Sequence, residues 1–217
     1  MILFRPVGIE ELVHIYRSGL RRFPPRLQGQ PIFYPVLSHE YAAQIARDWN
    51  TKSGYLAGYV TEFDIDDAYA RSMPIRQAGA KQHRELWVPS ETLADFNDHI
   101  HDDIRVVAAY FAPTFSGLIP TAFSLRGKDV RGQFAALWGI CKYSLMDFHG
   151  EITANHEVVF AHFSYWEQVL GVEGAVTGVD AKALLAAIRQ VWCAAFPNIA
   201  LGVQAPREKA PEDTAAS

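Results

Sequence analysis

The chain has 217 residues, a net charge of −4 and 49% hydrophobic residues, the composition of an ordinary soluble globular protein. Its mild acidity argues against a nucleic-acid coat protein or a membrane-surface protein. No apolar run approaches the roughly 20 residues that a helix needs to span a bilayer, and the first residues lack the pattern of a signal peptide. We therefore expect a cytoplasmic protein with no membrane partner.

The first half of the chain, residues 1–112, alternates short strands with small helices. Its crossovers are longer than hairpins, which favours an α+β module built on a mixed sheet. It has no glycine-rich phosphate loop, which argues against a Rossmann fold or a nucleotide triphosphatase. The first predicted elements are a strand at Ile2–Val7, a helix at Ile9–Ser18, a strand at Pro31–Leu37 and a helix at His39–Trp49 capped by Ser38. They are followed by a strand at Ala57–Ile65, a loop at Asp66–Ala80 with room for one helical turn, a strand within Gln82–Pro89, a short helix capped by Ser90 and a strand at Ile104–Phe111.

The second half, residues 113–203, is predicted to be an α-helical subdomain packed on the first. Apolar stripes at helical spacing indicate helices at Val130–Phe148, at Asn155–Leu170 and, after the capping residue Asp180, at Ala181–Phe196. The two cysteines of the chain, Cys141 and Cys193, lie in these stripes and are predicted to be buried free thiols. Residues 204–217 lack apolar anchors and are predicted to form a disordered tail.

Charged residues beside apolar runs are the candidates for chemistry. Arg5 lies within the first strand, where a guanidinium is costly unless it meets an anion or a carboxylate. Arg21, Arg22 and Arg26 lie in a proline-set loop, a place from which arginines can grip phosphates by charge-assisted hydrogen bonds. Glu85 stands at the start of an apolar run that ends in a proline. Each could equally be a solvated surface residue.

Three short motifs of the first half resemble the ADP-ribosyltransferase fold, whose sheet is a mixed split sheet with small helices. They are Phe4-Arg5-Pro6-Val7-Gly8, Phe33-Tyr34-Pro35-Val36-Leu37 and His83-Arg84-Glu85-Leu86-Trp87-Val88-Pro89. Residues 1–111 also resemble bacterial proteins labelled "ADP-ribosylation/crystallin J1". Tyr34-Pro35-Val36 stands where related transferases carry Ser-Thr-Ser, and His83 stands where protein-arginine modifiers carry Glu or Gln.

The resemblance implies a toxin-like glycosyltransferase that moves ADP-ribose from NAD, its co-substrate, to a macromolecular acceptor, either protein or nucleic acid. Because positive charge develops on the ribose as nicotinamide leaves, a fixed carboxylate near that sugar stabilises the transition state. The implied roles are transition-state stabilisation by Glu85, acceptor orientation or deprotonation by His83, NAD positioning by Arg5, stacking on nicotinamide by Tyr34 or Tyr59, and pyrophosphate binding by Arg21, Arg22 and Arg26.

Two other functions stay open at this point. One is a catalytically inactive binding module that keeps the transferase fold, because the Ser-Thr-Ser motif is replaced. The other is a metal-dependent hydrolase, because histidines and aspartates are clustered, although none has the i, i+4 histidine spacing of a helical zinc site. The residues concerned are His99, His101, Asp102, Asp103, His149, His156 and His162.

Overall fold

The computed structural model describes residues 1–78, 83–172 and 174–207, and it is an α+β protein. Gln82, the first residue of one predicted strand, lies outside the described residues, as do residues 208–217 of the predicted tail. Within the described ranges no helix has both the length and the apolar character needed to cross a membrane.

The central sheet has β3 (Ala57–Asp64) between β1 (Ile2–Val7) and β7 (Arg105–Phe111). A single residue, Val36, extends this sheet beyond β1, because it bridges Phe4 on one side and Glu85 on the other. Val36 thereby joins the three-stranded sheet to the strand that carries Glu85.

Two smaller strand pairs complete the β-structure. β4 (Ile75–Gln77) pairs with β5 (Arg84–Leu86), and β2 (Ile32–Phe33) pairs with β6 (Val88–Pro89). Every strand pair in the described part of the chain is antiparallel, so the prediction of a mixed sheet is wrong. A long connection permits a parallel return but does not require one, since a helix can also lead the chain back beside its starting strand in the opposite sense.

The two faces of the sheet are covered by different helices. One face carries Phe4, Val60 and Val107 and packs against α2 (His39–Asp48). The other face carries Leu3, Val7, Tyr59 and Phe63 and packs against α1 (Ile9–Arg17) and α7 (His156–Tyr165). Side chains alternate along a strand, so neighbouring residues of β1 enter separate apolar clusters.

Local signals explain most boundaries and one difference. Ser38 and Asp180 cap their helices as predicted, through side chains that accept from Tyr41 N–H and Ala183 N–H. Ser90 does not cap, because a 3-10 turn over residues 90–92 precedes α4 (Leu93–Asp98). The helical turn allowed within Asp66–Ala80 is α3 (Asp67–Ser72), and the capping carboxylate of Asp66 accepts from Tyr69 N–H.

The second half is helical, with one break inside a predicted helix. Ser144 has extended backbone angles and accepts from Asp147 N–H, so it ends α5 (Val130–Tyr143) and begins α6 (Leu145–Ala154). α7 continues into a π-helical turn at Trp166–Leu170, and α8 (Ala181–Ala195) follows.

One apolar core runs through both predicted domains. Tyr59 in β3 donates to the Ala161 carbonyl in α7 at 2.8 Å, and the ring of Phe111 in β7 meets that of Tyr165. The boundary at residue 112 therefore separates two parts of the sequence that share a core.

The thiols and the start of the tail differ from prediction. Both cysteines are free, but Cys141 is half-buried and Cys193 is exposed, because α8 turns Trp192 inward and its next residue outward. Gln204 N–H donates to the Val106 carbonyl, and Arg207 N–H donates to the buried Glu62 carboxylate at 3.0 Å. Residues 204–207 are thus held against the first half.

Candidate functional site

The three motifs of the first half are brought side by side, although they are far apart in the sequence. Phe4 of β1 exchanges both backbone hydrogen bonds with Val36 at 2.8 and 2.9 Å. Val36 in turn lies opposite Glu85, flanked by bonds from Leu37 N–H to the Arg84 carbonyl and from Leu86 N–H to the Pro35 carbonyl. Since directly opposed residues of antiparallel strands project to one side, Glu85 shares the face of Phe4 and Val36.

On that face Glu85, Tyr41 and His83 form a cluster, here called the Glu85 trio. The Tyr41 hydroxyl, from the first turn of α2, donates to Glu85 Oε1 at 2.7 Å. The His83 ring stacks on the Tyr41 ring with centroids 4.2 Å apart and an interplanar angle of 11°. Glu85 and His83 are half-buried. The structure therefore brings together the two residues predicted to be catalytic.

Tyr41 orients the carboxylate in this trio. Burial, reinforced by the hydrogen bond to Glu85, raises the pKa of Tyr41 to about 12. The phenol thus keeps its proton at neutral pH and donates it to the carboxylate. Glu85 Oε2 has no hydrogen-bond partner among the described residues, so it can accept from a ligand. A fixed, partly desolvated carboxylate with a neighbouring imidazole can stabilise positive charge and can accept a proton from a bound group.

An aromatic surface adjoins the trio on the same side of the β4–β5 strand pair. Arg76 lies opposite Glu85 in the β4–β5 pair, and its guanidinium lies 4.0 Å from the Trp87 ring centroid. Tyr34 meets Trp87 edge to face at 5.3 Å. The buried Trp87 Nε1 has no hydrogen-bond partner in the described residues. Tyr34, a predicted nicotinamide-stacking residue, thus belongs with the Glu85 side of the sheet.

Arg5 lies on the opposite face, which corrects the expectation that it shares a cleft with Glu85. Its guanidinium donates to both oxygens of Glu11 in α1, at 3.2 and 3.4 Å, and to the Tyr34 carbonyl. It also lies 4.8 Å from the Phe33 ring centroid. The reason is alternation: Phe4 faces α2 and Glu85, so its neighbour Arg5 must face α1.

The loop arginines also have protein partners. Arg26 joins Arg5 around Glu11, at 3.9 Å from Oε1, and burial followed by the proximity of Arg5 lowers the pKa of Arg26. Arg21 pairs with Asp103 at 2.8 Å, and Arg22 pairs with Asp98 at 2.5 Å. The predicted group of three pyrophosphate-binding arginines is therefore divided between two places, neither of them the Glu85 trio.

Tyr59, the second predicted stacking residue, is 1% exposed. Its hydroxyl is used by the Ala161 carbonyl, and burial raises its pKa. A ring enclosed between β3 and α7 cannot stack on a ligand. The prediction that Tyr59 stacks on nicotinamide is therefore wrong. An aromatic residue in an alternating strand pattern can be either a core residue or a site residue, and the sequence pattern does not distinguish them.

Sequence reasoning missed two residues near the site. The apolar spacing of the helix predicted at His39–Trp49 places Tyr41 on its inward face and assigns no role to His39. The buried His39 Nε2 has no hydrogen-bond partner among the described residues, and the His39 ring meets Phe4 edge to face. The available signal was a tyrosine and a histidine in the first turn of a helix that directly follows a motif strand.

A metal centre finds no support in the residues described, where no group of three or more metal-binding side chains converges. His99 stacks on Tyr69 at 3.7 Å, and His162 is enclosed in the helical half. Among known proteins, no family model, no curated protein and no solved structure matches the chain. The function is therefore inferred from the residues and their geometry.

Proposed function

We propose that the chain is an NAD-dependent ADP-ribosyltransferase whose reacting centre is the Glu85 trio. The observation that carries the proposal is the half-buried Glu85 carboxylate, held at 2.7 Å by the Tyr41 hydroxyl with the His83 ring stacked beside it. A second support is that the three motifs resembling the transferase fold meet in one sheet, through Phe4, Val36 and Glu85.

The proposed step is a displacement at the ribose carbon that bears nicotinamide. The bond from this carbon to the nicotinamide nitrogen breaks, and its electron pair leaves with the neutral base. Glu85 stabilises the oxocarbenium-like sugar. A nucleophilic oxygen or nitrogen of the acceptor forms the new bond, and its proton passes to His83 or to water. No external oxidant or reductant is needed.

The positioning of NAD differs in this proposal from the one expected for Arg5. Arg76 and Tyr34 flank Trp87 on the side of the hairpin where Glu85 lies, and they supply a cation and aromatic rings for the dinucleotide. Arg5 then stabilises the fold through Glu11.

The test compares Glu85 with a second carboxylate that accepts a hydrogen bond from a tyrosine hydroxyl. Asp95 also accepts a tyrosine hydroxyl at 2.7 Å, from Tyr69, but it lies elsewhere on the surface. With labelled NAD and cell lysate, the wild-type chain should label protein, RNA or DNA. Glu85→Gln should lower labelling about a hundredfold or more while NAD still raises the melting temperature, and Asp95→Asn should leave both unchanged.

A second candidate function is an NAD-binding module without catalysis. It is favoured by the placement of Arg5 and Glu85 on opposite faces, which separates the two residues that one dinucleotide was expected to contact. NAD-dependent stabilisation without any label transfer would establish this alternative. Absence of both binding and transfer would overturn both functions.

A further inference from the structure

A cavity of about 470 Å³ lies between the two halves of the chain, and no residue of the Glu85 trio lines it. Helix α1 lines one wall, the segment 118–123 a second, and the joint between α6 and α7 a third. Small-molecule sites in proteins commonly have volumes of about 300–1,000 Å³. The cavity is therefore large enough for a ligand the size of a nucleoside.

Three large, exposed apolar side chains, two of them aromatic, line the cavity. Tyr55 is 42% exposed, Ile119 50% and Phe123 64%. Ile119 and Phe123 belong to the segment 118–123 and Tyr55 precedes β3, yet all three line the same cavity. Exposed rings beside a cavity offer faces on which a planar ligand can stack.

Phe123 has a left-handed backbone conformation, which is uncommon for any residue other than glycine. Its φ is 57°, in the left-handed region that non-glycine residues adopt at a cost of about 1 kcal/mol or more. Arg126 N–H donates to the Phe123 carbonyl, and Gly127 N–H donates to that of Pro120, so the turn is fixed. The ring gains little burial in return. Strain of this kind is a mark of functional sites.

The polar groups of the cavity favour an uncharged ligand. Arg17 and Glu157 neutralise each other through two hydrogen bonds of 2.7 Å. Glu10 has no ion-pair partner among the described residues, and a free carboxylate disfavours an anion. The Tyr16 hydroxyl bonds His156 Nδ1 at 2.8 Å, and in the described part of the chain Nε2 of that ring has no partner, so it can bond a ligand. Asn155 and His14 add further polar groups.

From this geometry we propose that the cavity binds a neutral planar heteroaromatic molecule of the nucleobase or nucleoside class. Its ring stacks on Phe123 or Tyr55, and its ring nitrogens and carbonyls exchange hydrogen bonds with His156 and its neighbours. The proposal does not rest on transferase activity.

The probes are adenosine and nicotinamide as neutral heteroaromatics, benzoate as an aromatic anion, and inositol as a neutral polyol without a ring system of this kind. Calorimetric titration of the full chain, without NAD, should show binding of adenosine or nicotinamide and none of inositol. Preference for benzoate, or binding of neither heteroaromatic at millimolar concentration, would overturn the proposal.

Variants then locate the binding. Phe123→Gly removes the ring and relieves the positive φ, so the melting temperature should hold or rise while affinity falls about tenfold or more. Tyr55→Ser should also weaken binding. Tyr143→Gly, which removes an exposed ring outside the cavity, should not. Unchanged affinity in both cavity variants would count against the site.

A double variant, Arg76→Ala with Tyr34→Ser, separates this proposal from the proposed function, because it removes two side chains proposed to hold NAD beside the trio. Adenosine affinity in this variant should equal that of the wild type, because neither residue lines the cavity. Loss of adenosine binding at an unchanged melting temperature would assign the ligand to the trio and overturn the cavity proposal.

Discussion

Two clusters of this molecule contain the same three kinds of group in nearly the same arrangement. In the Glu85 trio a tyrosine hydroxyl donates to a carboxylate at 2.7 Å and the tyrosine ring stacks on a histidine at 4.2 Å. Tyr69, Asp95 and His99 show the same hydrogen-bond length and a stacking distance of 3.7 Å.

The two clusters differ in where the fold places them. Tyr69, Asp95 and His99 lie on and beside two short neighbouring helices, and the Asp95 side chain is 63% exposed. The Glu85 trio joins a helix to the sheet, and the Glu85 carboxylate is half-buried. Because water screens the first carboxylate more than the second, equal distances do not imply equal chemistry. Local geometry alone therefore does not distinguish the two carboxylates, and the proposal of Glu85 as the reacting group depends on its setting.

A third polar cluster extends this comparison to complete burial. His162 Nε2 accepts from Leu118 N–H, and its Nδ1 is 2.8 Å from Gln133 Oε1, with no ring nitrogen left over. His162→Leu should lower the free energy of unfolding by about 3 kcal/mol, because Leu118 N–H and Gln133 Oε1 lose their partner inside the core. Denaturant unfolding measures the change. His149→Leu, at an exposed helix position, should have little effect, and an equal loss in both variants would contradict this reading.

The same histidine gives a dependence of stability on pH. Burial lowers the pKa of His162 to about 3, whereas an unfolded histidine has a pKa of about 6.5. The unfolded chain therefore binds the proton first as pH falls, and the native state loses about 2 kcal/mol between pH 6.5 and 5 from this group. Subtracting the pH profile of His162→Leu from that of the wild type should isolate the loss. Parallel profiles would show that His162 does not titrate in this way.

Substitution of Arg5 tests whether the face of the sheet opposite Glu85 contributes to NAD binding. Arg5→Met removes the main partner of Glu11 and should destabilise the fold by about 2 kcal/mol, measured by thermal unfolding. NAD affinity should stay unchanged, because Arg5 faces away from Glu85. Arg47→Met, which breaks an exposed pair with Asp48, is the control for charge and should change neither quantity. A loss of NAD affinity at unchanged melting temperature would restore a shared site for Arg5 and Glu85.

The substitutions with the smallest expected effect on stability compare the two similar clusters most directly. Tyr41→Phe and Tyr69→Phe each remove one hydroxyl bonded to a carboxylate, so each should cost about 1 kcal/mol or less. Only Tyr41→Phe should slow ADP-ribose transfer, by about tenfold, since it frees the Glu85 carboxylate to rotate. Initial rates with labelled NAD distinguish the two, and equal slowing would leave the trio without special status.

Part of the site was readable from the sequence. The motif around Glu85 and His83 could be found because both residues lie at the edge of one apolar run, and residues so close in sequence stay close in space. Tyr41 could not be placed with them, because its contact with Glu85 spans 44 residues and depends on how α2 lies across the sheet. The expectation that Arg5 and Glu85 share one cleft is wrong for a related reason. Side chains alternate between the two faces of a strand, so a shift of one residue in the strand register moves each side chain to the other face.

The sequence by itself determined where most helices and strands lie, because apolar periodicity and capping side chains such as Ser38 and Asp180 act over a few residues. Only the tertiary structure decided which charged residues meet. A single bridge residue, Val36, sets the register between β1 and β5, and that register directs Glu85 toward Tyr41 while it leaves Arg5 with Glu11. Contacts between distant segments depend on register and packing, which no local pattern records.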